Sequence, residues 1–274
     1  LKKIFNFSSF SFLGSFSNIL VLNVDILMVT SLLGLSQTGI YTTAFYIGMI
    51  IEIPRRAISQ ISIPLISENI KNNKIHNLEK NYKEVSLYQS IIGVLFYLVI
   101  IINLDSIFNL IPNSNSFIAG KNIVYVVGFT KLTSMIFSYS SELISLSKYY
   151  KFNVVTILIL AIIGIILNII LIPIYGLIGA SLASLIAIIV FNLIKYLFIK
   201  IKIGISPFSI KTFKILVVGL LIYVFNLYLS LDFNNEIVNI LAKSTITTIL
   251  YLASIYYFNI SEKVNNTIKK FIKN

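Results

Sequence analysis

The sequence predicts an all-α integral membrane protein with about eight transmembrane helices. Three observations carry that reading. Mean hydropathy is +0.91 and only 12% of residues are charged, against about 25% in soluble domains. Apolar runs of about 20 residues, the length that crosses a bilayer, recur along the 274 residues. Lysines concentrate in every second connection between those runs, the pattern of cytoplasmic loops.

The runs are residues 6–33, 39–66, 86–111, 122–146, 153–173, 177–199, 212–231 and 237–259. The first follows "LKKIF" but is too long for a signal peptide. It holds Asn18, Asn23 and Asp25 and lacks a small-residue cleavage site. "GLSQT" joins it to the second run, which carries Glu52, Arg55 and Arg56 and is expected to be interrupted by Pro54 and Pro64. In the connection 67–85, Ile75, Leu78, Tyr82 and Val85 recur at helical spacing among lysines. That spacing fits a short amphipathic helix on the inner membrane surface, or a solvated loop. His76 stands alone there and reads as solvent-exposed. The fifth and sixth runs meet at "IPIYG", where Pro173 is expected to end one helix. A basic tail follows the eighth.

Seventeen lysines, among them Lys74, Lys148, Lys195 and Lys263, fall on one side of this scheme, and Lys121 and Lys243 on the other. Both termini are therefore expected in the cytoplasm. The net charge of +12 is thereby a topology signal and not a nucleic-acid footprint. Cysteine is absent, which excludes disulfides and thiolate metal sites. Neither a glycine-rich phosphate loop nor a His/carboxylate metal cluster nor a nucleophile with a base is present, so no enzyme, cofactor or metal site is expected.

Three runs carry polar stripes at three- and four-residue spacing, which keeps them on one helical face. They are Ser8, Ser11, Ser15, Asn18 and Asp25; then Glu52, Arg55, Arg56, Ser59 and Gln60; then Lys131, Ser134, Ser138, Ser141, Glu142 and Ser145. Lipid satisfies none of these groups, so the stripes should converge on each other or on water. One reading is structural: Asp25, Glu52 and Glu142 pair with Arg55, Arg56 and Lys131. The other is a hydrophilic cavity for an anionic substrate. Arg55 and Arg56 are the only arginines in a chain that otherwise uses lysine, and a mid-membrane arginine costs about 2.5–3.5 kcal/mol. A guanidinium fork binds phosphate bidentately, which an ammonium does not. The i,i+4 spacing assigns Arg56 to Glu52 and leaves Arg55 for phosphate.

The stretches "NVDILMVTSLLGLSQTGIYTTAFYIG" and "LNIILIPIYGLIGASLAS" resemble the polysaccharide-export, Wzx-type flippases of the multidrug/oligosaccharidyl-lipid/polysaccharide superfamily. Asp25, Gly34, Gly39, Tyr41 and Ala44 match in the first, and Asn168, Leu171, Pro173, Gly176, Gly179, Ala180 and Ala183 in the second. Gly34 and Gly39 are read as bracketing a tight turn, and the small residues 176–183 as a close-packing face. The resemblance implies the second six-helix lobe of a MATE-like flippase over residues 1–200, followed over 201–274 by two extra helices and a basic cytoplasmic tail. It also implies a chain that is the C-terminal portion of a longer protein, partnered by a missing N-terminal lobe. The implied activity is flipping of undecaprenyl-diphosphate-linked oligosaccharide across the bacterial cytoplasmic membrane by alternating access, with Na+ or H+ as coupling ion. Arg55, Arg56, Glu52, Asn18, Asp25, Lys131 and Glu142 are the expected substrate-facing residues, Asp25 as an ion-coupling carboxylate or as partner to an arginine. The alternatives are a cation-coupled multidrug exporter of the same superfamily, and a membrane glycan polymerase or ligase.

The lysine asymmetry is directly testable because any introduced cysteine is unique. A cysteine replacing Lys74 should stay unlabelled by an impermeant maleimide added to intact cells and react once the cells are opened. Labelling from outside would reverse the orientation.

Overall fold

The computed structural model describes residues 23–273 apart from 138, 230 and 232. All regular structure among them is helical. Helix α1 (Asn23–Leu33) meets α2 (Leu35–Met49) across one residue, Gly34. Its φ of 85° is a left-handed conformation that glycine adopts without a Cβ clash. The expected five-residue turn is therefore a single-residue turn, and Gly39 lies inside α2. The Thr38 hydroxyl secures this junction by donating to the Gly34 carbonyl at 2.9 Å.

A 3-10 turn, Ile50–Glu52, separates α2 from α3 (Ile53–Lys71). Pro54 falls in the first turn of α3, where its missing N–H costs nothing. Pro64 lies within α3 without ending it. Helix α4 (Ile75–Ile102) then runs unbroken for 28 residues. The surface helix or loop expected over 75–85 is instead its opening turns. Leu78, Tyr82 and Val85 are buried against Ile66, Tyr139, Leu143 and Ile199. Helical spacing identified the apolar face; protein, not lipid headgroups, covers it.

Helices α5 (Leu104–Asn109) and α6 (Ser114–Phe117) lead through a second 3-10 turn to α7 (Lys121–Ile136) and α8 (Ser140–Leu146). The span expected over 122–146 is thus broken, with a 46° bend and Tyr139 at φ 80°. Helices α9 (Tyr150–Tyr175) and α10 (Leu177–Lys202) form a long antiparallel pair. Pro173 sits inside the last turn of α9, which ends two residues later; Gly176, at φ 60°, makes the turn. Helices α11 (Ile210–Tyr228), α12 (Glu236–Tyr257) and α13 (Glu262–Lys273) follow. Among the described residues five helices, α4 and α9 to α12, are long and apolar enough to cross a membrane, and the bent pair ending in α8 makes a sixth. The other two of the eight expected spans fall on α1, described from residue 23, and on α2–α3, divided by its 3-10 turn.

Helix α7 is the hub. Its Ile123, Val124 and Val127 pack with Tyr41, Ala44 and Phe45 of α2 and Ile100 and Ile101 of α4. Its Leu132 and Ile136 join Leu87, Ile91 and Val94 of α4 to Ile215 and Ile222 of α11 and Tyr251 of α12. The α9–α10 pair closes tightly because Gly179 lets the backbones approach: a Cβ there would strike the Leu171 carbonyl.

This last contact predicts two opposite outcomes. Gly179→Ala should destabilise the protein by about 1–3 kcal/mol through overpacking against backbone, read as a lower thermal midpoint in detergent. Gly39→Ala meets nothing within 4 Å and should raise stability by about 0.5–1 kcal/mol, as removal of a mid-helix glycine does. Equal effects would show that the α9–α10 approach is not as close as described.

Candidate functional site

The break at 50–52 and the one between α7 and α8 sit where buried and half-buried charges meet. Glu52 ends the 3-10 turn, so its carboxylate emerges where the helix axis is interrupted. It pairs with Arg55 one turn on and with Lys131 of α7, whose Nζ lies 3.2 Å from its second oxygen. Lys131 is buried and sits 5.4 Å above the Phe45 ring. The other end of the Arg55 fork reaches Glu142 of α8 at 4.0 Å. Glu142 also accepts a 3.0 Å hydrogen bond from the Ser59 hydroxyl, while its second oxygen is buried without a donor among the described residues. Beside it, Lys195 of α10 is only 1% exposed. Its ammonium donates to the Ser141 hydroxyl at 2.7 Å and stands 3.8 Å from the Phe191 ring.

A second polar node surrounds Asp25 of α1. Its carboxylate, 5% exposed, accepts from the Asn168 amide at 2.9 Å, from the Ser184 hydroxyl and, weakly, from the Tyr41 hydroxyl at 3.4 Å. Three elements thus hold one carboxylate: α9, α10 and α2. The Asn168 carbonyl oxygen is buried with no partner among the described residues. Asp25 and Lys131 line the same cavity of about 60 Å³, together with Tyr41, Thr130 and Ser184. A space of that size admits a few water molecules.

The expected convergence of the stripes is therefore present for Asp25, Glu52, Arg55, Lys131 and Glu142. Asn18, with Ser8, Ser11 and Ser15, lies outside the described residues. The arginine roles are exchanged relative to the helix-pair expectation. Arg55, at i,i+3, takes Glu52, and Arg56 has no ion pair or hydrogen bond among the described residues. The reason is the break itself: Glu52 precedes α3 and is not in regular α-helix, so the i,i+4 preference has no helix to act in. Arg56 is exposed and lines a groove of about 230 Å³ with Tyr46, Met49, Ile50, Glu52 and Ile53. Asp25 has no arginine partner; hydroxyl and amide donors satisfy it.

Four site residues escaped the reading as polar ligands: Tyr41, Asn168, Ser184 and Lys195. Lysine counting places Lys195 with the loop lysines, although Ser181, Ser184, Asn192 and Lys195 share helical spacing on α10 and three of the four are buried. That stripe was a legible signal. Among the described residues no cluster of three or more His, Cys, Asp or Glu side chains is arranged to hold a metal.

No protein-family model matches the chain, and no curated protein sequence matches it. A solved structure titled "Lipid II flippase MurJ, inward closed conformation" superposes with a TM-score of 0.62 at 19% identity, over 85% of this chain and 52% of that one. The chain thus spans about half the length of that protein and shares its fold over that part. With its apolar helices, it is a multi-pass helical membrane protein.

The Asp25 node orders two substitutions. Asn168→Leu removes a 2.9 Å donor to a buried carboxylate and should cost about 1.5–3 kcal/mol. Tyr41→Phe removes only a 3.4 Å contact and should cost less than about 1 kcal/mol. Detergent-solubilised thermal unfolding ranks the two, and a reversed order would contradict the geometry.

Proposed function

We propose that this chain flips undecaprenyl-diphosphate-linked oligosaccharide across the bacterial cytoplasmic membrane, by alternating access, for surface polysaccharide such as O-antigen or capsule. Both termini face the cytoplasm in this reading. One observation carries it. Arg56 is a membrane-segment guanidinium with no acidic partner among the described residues, and it opens on a groove whose other walls are mainly apolar. Such a groove suits an amphipathic anion, with diphosphate oxygens on the fork and a prenyl chain along Tyr46, Ile50 and Ile53, all exposed. Arg55, held by Glu52 and Glu142, serves first to keep α3 against α8. This assigns the phosphate to Arg56, the reverse of the helix-pair expectation. A fold shared with a protein titled a lipid II flippase supports a lipid-linked substrate.

A coupling ion, Na+ or H+, has a fitting seat at Asp25. The carboxylate, the unpartnered Asn168 oxygen and the Ser184 and Tyr41 hydroxyls offer oxygens of the kind a hard cation takes. A drug exporter of the same superfamily, which handles cations, would need a free carboxylate at its substrate site. Here Asp25, Glu52 and Glu142 all have protein partners.

The arginine assignment sets the test. The gene is expressed in a bacterial strain lacking its own flippase, and surface glycan is measured at matched protein levels. Arg56→Ala should lose about tenfold or more of export, and Arg56→Lys should fall between, because an ammonium keeps charge without the fork. Normal export by Arg56→Ala would remove the phosphate role from this residue.

A further inference from the structure

We infer that Lys195 is an alternate counter-ion for Glu142, the group that allows α3 to separate from α8 and α10. The inference deepens the transport reading above and rests on its alternation between two arrangements.

Start with what is unbalanced. Lys195 is a fully buried lysine whose ammonium has one hydroxyl and one aromatic face as company, and no carboxylate within ion-pair distance among the described residues. A buried ammonium normally has an anion beside it, because desolvation is otherwise uncompensated. The carboxylate it lacks is on the next residue of its own hydrogen-bond partner. Ser141 holds Lys195; Glu142 points to α3. Glu142 meanwhile has one oxygen engaged and the other buried without a donor. A cation short of an anion and a carboxylate with a spare oxygen therefore lie side by side, and neither is fully satisfied where it is. The Glu142–Arg55 contact, at 4.0 Å, is also loose. A swing of two long side chains on adjoining helices would exchange the partners.

Next consider which element is free to leave. Helix α3 buries only Ser62, Ile66 and Asn69 among its 19 residues. Its Ile53, Ile61, Ile63 and Leu65 are exposed, and the 3-10 turn separates it from α2. Its polar ties to the neighbouring bundle are Ser59 and Arg55 to Glu142, and Arg55 to Glu52, itself held by Lys131. If α3 moved away, Glu142, now mostly covered, would lose both its hydroxyl donor and its cation. A carboxylate stranded in that way is strongly unfavourable, so without Lys195 the movement is blocked. With Lys195 in reach, Glu142 is paired in both arrangements: with Arg55 when α3 is in, with Lys195 when α3 is out. Lys195 acts through Glu142 on α3 and is a positioning residue.

The chain has no cysteine, so two spin labels report the distance cleanly. Place them at Ile61 on α3 and Leu197 on α10, both exposed, in the full chain in nanodiscs, and read distances by double electron–electron resonance. The parent should show a short and a long distance. Lys195→Met should reduce the long-distance fraction about tenfold. The double variant Lys195→Met with Glu142→Gln should restore it, since a neutral amide needs no counter-ion; a merely packing role for Lys195 gives no such rescue. Should Lys195→Met not fold, Glu142→Gln alone should raise the long fraction by cutting the tie to α3. A single distance in the parent, an unchanged long fraction in Lys195→Met, a double variant as closed as the single, or no rise in Glu142→Gln overturns the inference. No substrate enters this measurement, so its failure is distinct from a failure of glycan export by the Arg56 variants.

Discussion

The pairing of Glu52 with both Arg55 and Lys131 is the interaction on which the rest of the structure leans. Glu52 lies at an interruption between two helices, Arg55 on the second of them, and Lys131 on the central helix of the bundle. One carboxylate thus fixes where α2 ends, how α3 departs and how both meet α7. In an apolar solvent, leaving any one of these three charges bare costs several kcal/mol. The 3-10 turn is the geometric counterpart: a regular helix would carry Glu52 past Lys131 or Arg55 past Glu142.

Around that pairing the charges close on themselves. Asp25, Glu52 and Glu142 face Arg55, Lys131 and Lys195, three acids against three bases, spread over α1, α3, α7, α8, α10 and the break after α2. A neutral total lets the cluster sit inside the bundle, while imperfect local pairing leaves spare capacity at Glu142 and Asn168. Arg56 stands outside this balance. It is the charge the cluster does not consume, which is why it and not Arg55 is available to something else.

Much of this was legible in the sequence, for a definite physical reason. Three- and four-residue spacing of polar groups in apolar runs exposes a face, and faces that lipid rejects must meet; Glu52, Lys131 and Glu142 were found that way. Small residues at Gly179, Ala180 and Ala183 likewise marked the tight α9–α10 seam. The misreadings concern what tertiary contacts decide: where a helix breaks and which face is buried. Tyr139 at a left-handed φ divides a run that composition shows as continuous. Pro173 does not end its helix: it leaves one carbonyl a turn earlier without its donor, and the helix runs two residues further to Tyr175. Lys195 looked like a flank of a cytoplasmic loop because charge counting ignores which way a side chain faces. The lysine-rich start of α4 looked like a surface segment because its buried face, Leu78, Tyr82 and Val85, has the same period either way.

The unbroken α4 has a consequence for how the molecule sits in its solvent. At 28 residues it is about 42 Å long, well beyond a hydrocarbon core of about 30 Å. Its apolar part, from Val85 to Ile102, measures about 27 Å. The surplus is the stiff lysine-bearing portion before Val85, packed against α8 and α10 by Tyr82 and its neighbours. At the joint between the two portions, Glu84 pairs with Lys263 of α13. The helix therefore works as a ruler with a marked zero. The oily scale matches the bilayer, the rigid handle stands in the headgroups, and α13 is clipped at the mark. A bilayer of altered thickness pulls on a packed shaft and not on a pliable loop, so depth is imposed on the whole bundle at once.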